Sequence, residues 1–149
     1  RGLGLTSDLG WSGEAIGSEL ETVSWLSGFS LALEPFENTT WIQSLRLGIA
    51  EPLKGTELDP EARYFAGGQA SVRGFDLNSV GPVLDGTEIT VGGGALFVLN
   101  QEIRIPIWDP IRIAVFADIG QVWESWGDAD WDVAVGAGVD ADAAHVIEI

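Results

Sequence analysis

The chain has no cysteine and very few cations: seven lysines and arginines stand against 23 aspartates and glutamates among 149 residues. Without cysteine there is neither a disulfide framework nor thiolate chemistry. The net charge of −16 excludes a nucleic-acid partner, because neutralising phosphates requires a basic surface. The same charge disfavours adhesion to anionic lipid through a polybasic patch.

Long apolar runs are also absent from the sequence. None approaches the roughly 20 residues that a membrane-spanning helix needs. A β-barrel is then the remaining way for this chain to span a bilayer, because backbone polar groups in lipid must be paired within the protein. No signal peptide is visible and the chain begins at Arg1, so we expect a processed form, an excised domain or an engineered miniature.

Twenty glycines, seven tryptophans and repeated apolar alternation predict an all-β fold. The alternation predicts strands over residues 2–11, 19–34, 41–50, 89–107, 111–120 and 133–139, with a seventh beginning near His145. In most blocks apolar residues share one face and small or polar residues the other. A soluble sandwich would bury that apolar face, whereas a transmembrane barrel would turn it to lipid. Tryptophans near strand ends favour the barrel, because interfacial girdles are aromatic.

A long segment, residues 51–88, has no convincing strand pattern, and a loop of this length inside a compact domain is usually functional. It contains the stretch Phe65-Ala-Gly-Gly-Gln-Ala-Ser-Val-Arg-Gly-Phe75, whose glycines mark it as loop. Arg73 is the one cation of this stretch. Glu102 and Asp118 lie in otherwise apolar strand blocks. These three residues predict a buried ion-pair set, because guanidinium and carboxylate bind in a planar two-pronged contact. In the alternative interpretation, Arg73 caps an exposed turn and both acids are surface charges.

The order of these motifs resembles a known family. The Phe65–Phe75 stretch is followed by Gly81-Pro82, Asn100-x-Glu102-x-Arg104 and Phe116-x-Asp118-x-Gly120. This series is similar to the C-terminal barrel of the superfamily that contains BamA, TamA, the two-partner-secretion transporters and the organellar assembly barrels. That barrel is also termed the bacterial surface antigen domain. The resemblance runs from about Trp41 to Gly138 and more loosely from Arg1.

The resemblance implies one partial domain over residues 1–149, an antiparallel transmembrane β-barrel portion of about six or seven strands whose long loop folds into the lumen. It implies an outer-membrane location, a role in protein insertion, assembly or translocation, and partners that are membrane lipid and unfolded outer-membrane protein clients. The implied loop motif is Gly67, Gly68, Val72, Arg73, Gly74 and Phe75, and the implied inner-wall partners are Glu102, Phe116, Asp118 and Gly120.

The chain departs from that family at its C-terminus, where residues 139–149 replace the closing strands, and family barrels have sixteen strands. We therefore expect strands from additional chains or copies to complete the barrel, since an unpaired edge is not tolerated in hydrocarbon. Two further functions stay open here. One is a structural or engineered self-assembling barrel or pore without insertase activity, and the other is a soluble acidic β-sandwich binding module.

No catalytic or cofactor site is expected. Gly92-Gly-Gly94 lies in a predicted strand without a following helix, so it is not a dinucleotide loop. Residues 128–132 have the acidic spacing of a calcium loop but lack its glycine and its distal glutamate, and His145 has no metal-site context. We predict a protein that is not an enzyme and holds no metal.

Overall fold

The computed structural model of the chain describes residues 1–12, 21–55, 58–108, 111–124 and 132–141. They form one six-stranded antiparallel sheet in which each strand pairs with the next along the chain. The strands are β1 (Gly2–Ser12), β2 (Thr22–Phe36), β3 (Thr39–Pro52), β4 (Ala95–Trp108), β5 (Ile111–Trp123) and β6 (Asp132–Ala141). A single 3-10 turn, Pro60–Ala62, is the one helical element in this part of the chain. No described helix has the length and apolar character to cross a membrane.

The pleat gives the sheet two chemically different faces, because successive side chains of a strand point to opposite sides. One row of directly paired residues across the six strands is entirely apolar: Leu5, Phe29, Leu45, Leu99, Ile119 and Val133. The adjacent row, one residue along each strand, lies on the other face and is small or polar: Gly4, Ser30, Ser44, Asn100, Asp118 and Ala134. The first face is called the outer face here and the second the inner face.

The fourth strand begins later than the sequence pattern predicts. The prediction placed it over residues 89–107 and ended the loop near residue 88, whereas β4 begins at Ala95 and the described loop residues continue to residue 94. Gly92 has φ of +70°, which an extended strand does not use. Gly93 pairs with Tyr64 of the loop, and Thr90 pairs with Val83. The three glycines therefore lie in the returning loop rather than within a strand.

The apolar core lies between the loop and the inner face. Its buried members are Ala66, Val72 and Val80 from the loop and Leu96, Val98 and Val122 from β4 and β5. The sequence pattern predicted an inner face of small and polar residues, and these three strand residues are the exception. They are apolar because the loop covers them and removes them from solvent.

Tryptophan placement agrees with a girdle only in part. Trp11 and Trp108 lie at the ends of β1 and β4 and are 49% and 65% exposed. Trp123 is 5% exposed, so it belongs to the packed end of β5 rather than to an exposed girdle. Trp126, Trp131, residues 128–131 of the acidic spacing and the seventh strand near His145 lie outside the described residues.

The described sheet is open. β1 stands at one end and β6 at the other, and within the described residues each pairs along one edge only. The fold is thus all-β and antiparallel, in the form of part of a barrel wall with a long loop packed against its inner face.

Candidate functional site: a loop fixed to the inner wall

The backbone of the loop presents Arg73 to the inner wall. Gly74 has φ of +90°, a conformation that side-chain-bearing residues rarely adopt, so the chain reverses immediately after the arginine. Phe75 N donates to the Val72 carbonyl at 3.4 Å, and Gly68 N donates to the Phe75 carbonyl at 3.1 Å. These bonds close the motif into a compact turn with Arg73 at its tip.

Arg73 binds Asp118 of β5 through a two-pronged contact. Its Nε donates to Asp118 Oδ2 at 2.7 Å, and its Nη2 donates to Oδ1 at 2.8 Å. The backbone amide of Arg73 adds a third bond, to Oδ2 at 3.0 Å. The Asp118 side chain is fully buried, while that of Arg73 is 23% exposed. The hydrogen bond with Asp118 is the main reason why the pKa of the Arg73 guanidinium lies above its usual value.

Glu102 of β4 connects two arginines. Arg73 Nη1 donates to Glu102 Oε2, and Arg104 Nε donates to Glu102 Oε1 at 2.7 Å. Two guanidinium groups thus meet two carboxylates, and the cluster carries no net charge. A buried charge requires a compensating partner, so this arrangement lets four ionised groups sit together beside an apolar core.

Phe116 supplies an aromatic surface for the same guanidinium. The Arg73 Cζ atom lies 3.7 Å from the centroid of the Phe116 ring, well within the range of a cation–π contact. Because Phe116 and Asp118 are two residues apart on β5, both side chains point to the inner face. One strand therefore provides both the carboxylate and the ring that hold Arg73.

Val72 and Gly120 form the apolar part of the same contact. Val72 is fully buried, and a Cβ added at Gly120 would overlap its Cγ2 atom. Gly120 on β5 thus leaves the space that Val72 occupies. Phe75 packs against the apolar core cluster and so anchors the end of the motif to it.

Two polar residues of the wall bind the loop backbone just before Arg73. Arg46 Nη2 of β3 donates to the Ala70 carbonyl at 2.8 Å, and Asn100 Nδ2 of β4 donates to the Ser71 carbonyl at 2.6 Å. Ser44 Oγ donates to Asn100 Oδ1 at 3.0 Å and so orients that amide. Ser44, Arg46 and Asn100 lie on the inner face, but nothing in the sequence indicated that Arg46 and Asn100 bind main-chain carbonyls.

Tyr64 is a second contact point that the sequence pattern did not reveal. Its hydroxyl lies 3.1 Å from the Trp25 carbonyl and 3.4 Å from the Ile49 carbonyl, and burial raises its pKa. The ring covers Gly48 on β3, where an added Cβ would lie 2.9 Å from Tyr64 Cζ. The sequence offered one signal for this contact, namely that Tyr64 is the single tyrosine of the chain.

All predicted inner-wall residues thus meet the loop motif around Arg73, at one place on β4 and β5. A model of the Omp85 superfamily domain matches residues 4–143 of the chain. The chain belongs to the Omp85 superfamily. Omp85 proteins are outer-membrane proteins of protein assembly and translocation, and they work in the membrane with other barrels or client proteins.

Membership of the Omp85 superfamily gives the two faces their environments. The apolar outer face is the lipid side of a barrel wall, and the inner face with its loop is the lumen side. A β-sandwich would need a second sheet against the apolar face, whereas the described residues form a single sheet. The family match therefore favours the barrel wall over the soluble sandwich.

The groups of this site attach the loop to the inner wall. A guanidinium binds two carboxylates and lies over an aromatic ring, and a carboxamide binds a main-chain carbonyl of the loop. Within the described residues, no group of three histidines or acids is placed to hold a metal ion. What the arrangement can do is hold the loop against two strands at a defined position.

Proposed function

We propose that this chain is part of the barrel of an Omp85 protein that inserts or translocates other proteins at the bacterial outer membrane, with its loop fixed inside the lumen by Arg73. In this proposal the loop sets the shape of the lumen and holds β4 and β5 in one relative position. The chain makes or breaks no covalent bond and requires no metal or cofactor. Its contribution to the function is conformational.

The observation that carries the proposal is the attachment of one loop side chain to two neighbouring strands. Asp118 belongs to β5 and Glu102 to β4, and Arg73 bonds to both. Removing one partner of a buried charged set leaves an unpaired charge, which costs about 3–5 kcal/mol. Lumen water lowers that cost, because Arg73 is partly exposed. The attachment is therefore strong enough to keep the loop in place.

Additional strands are the second element of the proposal. Even about eight strands leave an interior just wide enough for side chains, whereas here an entire loop with its own buried residues covers the inner face. The edges of β1 and β6 therefore pair with further strands, from another chain, another copy or another part of the protein, to give a barrel of more than eight strands. Membrane lipid contacts the outer face, and unfolded outer-membrane proteins are the proposed clients.

The test is client assembly by the protein in outer-membrane vesicles or proteoliposomes, with Arg73→Ala and Arg73→Lys compared with Lys54→Ala. Arg73→Lys keeps the charge but loses the two-pronged geometry, so we expect both Arg73 variants to lose most of the assembly activity. Lys54 is an exposed residue paired with Glu21, and its variant should remain active. Full client assembly by Arg73→Ala would contradict the role of the loop, and ion conduction without any client assembly by the unmodified protein would favour a simple pore.

A further inference from the structure

The Phe116 ring that contacts Arg73 also rests on the neighbouring strand. Phe116 of β5 and Gly136 of β6 are directly paired across the two strands. A Cβ added at Gly136 would lie 2.9 Å from Phe116 Cε1 and 3.2 Å from Cε2, and closer still to Cζ. Carbon atoms do not approach to such distances without displacement. The ring thus occupies the space that any side chain at position 136 would need.

Two other inner-face residues of β6, Ala134 and Gly138, do not share this constraint. A Cβ added at Gly138 would meet nothing within 4 Å. Ala134 packs against the apolar core cluster. A Cβ added at Gly74 of the loop would lie 3.8 Å from the Ala134 Cβ, which is an ordinary contact distance. Small residues on this strand are therefore not interchangeable. Only Gly136 lies under the ring that touches the arginine.

We propose that Gly136 is a positioning residue for Arg73: by leaving room for the Phe116 ring on β6, it sets the place at which the guanidinium meets Asp118 and Glu102. The ring contacts both Gly136 and the guanidinium, so it cannot move off one without changing its 3.7 Å distance to the other. The position of β6 is thereby linked to the hold on the loop. The inference rests on the proposed role of the fixed loop and extends it to a strand that carries none of the charged groups.

Trypsin provides a direct measure of the hold on Arg73. Cleavage after Arg73 requires its side chain to enter the protease, which it cannot do while bonded to Asp118 and Glu102. Lys54 lies on the same loop with a side chain that is 72% exposed, so cleavage after Lys54 is an internal reference. The ratio of peptides ending at Arg73 to those ending at Lys54 is measured by mass spectrometry on the whole protein in outer-membrane vesicles.

Four variants decide the proposal: Gly136→Ala, Gly138→Ala, Phe116→Leu and the double variant Phe116→Leu with Gly136→Ala. We expect Gly136→Ala to raise the Arg73 to Lys54 ratio about tenfold, which corresponds to about 1.4 kcal/mol, and Gly138→Ala to leave it unchanged. In the Phe116→Leu background, Gly136→Ala should add no further increase, because the ring that it displaces is gone.

Equal ratios for Gly136→Ala and Gly138→Ala would overturn the proposal, as would an added effect of Gly136→Ala in the Phe116→Leu background. If Gly136→Ala alone yields no folded protein while the double variant folds, the clash with the ring is demonstrated by that rescue. If neither folds, Gly136 acts through the strand itself and the proposal is wrong. None of these measurements needs a client, so their failure is distinguishable from a failure of the assembly function.

Discussion

Tyr64 of the loop covers Gly48 of β3 so closely that a Cβ at Gly48 would meet three of its ring carbons at 2.9 to 3.1 Å. The same tyrosine reaches the Trp25 and Ile49 carbonyls with its hydroxyl. The loop is therefore held at two places, by Tyr64 on β2 and β3 and by Arg73 on β4 and β5. Between these places lie the Arg46 and Asn100 bonds to the Ala70 and Ser71 carbonyls.

Gly48→Ala should destabilise the docked loop, because the Tyr64 ring cannot give way without losing its hydroxyl contacts. We expect a loss of about 1–3 kcal/mol in the free energy of unfolding, the usual range for overpacking. Tyr64→Phe removes only the hydroxyl and should cost about 1 kcal/mol. Urea unfolding in lipid vesicles measures both. Gly138→Ala is the matched control, since an added Cβ meets nothing there, and an equal loss in that variant would refute the role of the Gly48 contact.

Asp118 should be more important than Glu102 for holding the loop. Asp118 accepts three hydrogen bonds from Arg73 and is fully buried, whereas Glu102 accepts one from Arg73 and is 14% exposed. Asp118→Asn should lower the free energy of unfolding by about 3–5 kcal/mol, and Glu102→Gln by about 1–3 kcal/mol. The comparison is made by urea unfolding of the two variants side by side. A larger loss in Glu102→Gln would show that the carboxylates exchange roles.

The facing of the strands predicts two classes of labelled position. Spin labels at the outer-face positions should be quenched by a lipid-soluble reagent, and labels at the inner-face positions should be protected. The outer positions are Leu45, Leu47, Phe97, Leu99, Ile113 and Val115, and the inner positions are Arg46, Asn100, Glu102 and Asp118. The reverse pattern would mean a register shifted by one residue, which exchanges the two faces.

The edges of the sheet predict where further strands attach. One cysteine is introduced in β1 (Gly2–Ser12) and one in β6 (Asp132–Ala141). These two cysteines should not crosslink to each other within one copy of the chain. Each should instead crosslink to a cysteine on an added strand, because the loop-filled interior needs a wider barrel than six strands allow. A direct β1–β6 crosslink in a monomeric particle would show a closed miniature and would reject this prediction.

The strands and their facing were predictable because side-chain alternation is written directly in the sequence. The segments predicted over residues 41–50 and 111–120 lie within β3 and β5. The start of β4 was not predictable in this way. Ile89 and Val91 continue the alternation of residues 95–107, yet they belong to the loop, because Gly92 turns the backbone and the Tyr64–Gly93 pairing replaces the strand ladder.

The charged part of the site was more predictable than its neutral part. Arg73 is the single cation of a glycine-rich stretch, and Glu102 and Asp118 are acids in apolar strands. Because buried opposite charges must pair, these three residues could be grouped from residue type and from the family resemblance. The Tyr64 contact depends on the space above a glycine, Gly48, and the bonds to Ala70 and Ser71 use backbone carbonyls. Neither kind of contact can be recognised from the residue types in the sequence.

The shared core of loop and wall imposes an order on the formation of the structure. Ala66, Val72 and Val80 are synthesised before Leu96, Val98 and Val122, the strand residues that bury them. Arg73 precedes Glu102 by 29 residues and Asp118 by 45. Until β4 pairs with β3 and β5 with β4, the apolar loop residues lack these wall partners and remain exposed, a state in which chains aggregate. The loop can therefore gain its full set of contacts only once β4 and β5 are in place, which makes its docking a late step in the biogenesis of this part of the barrel.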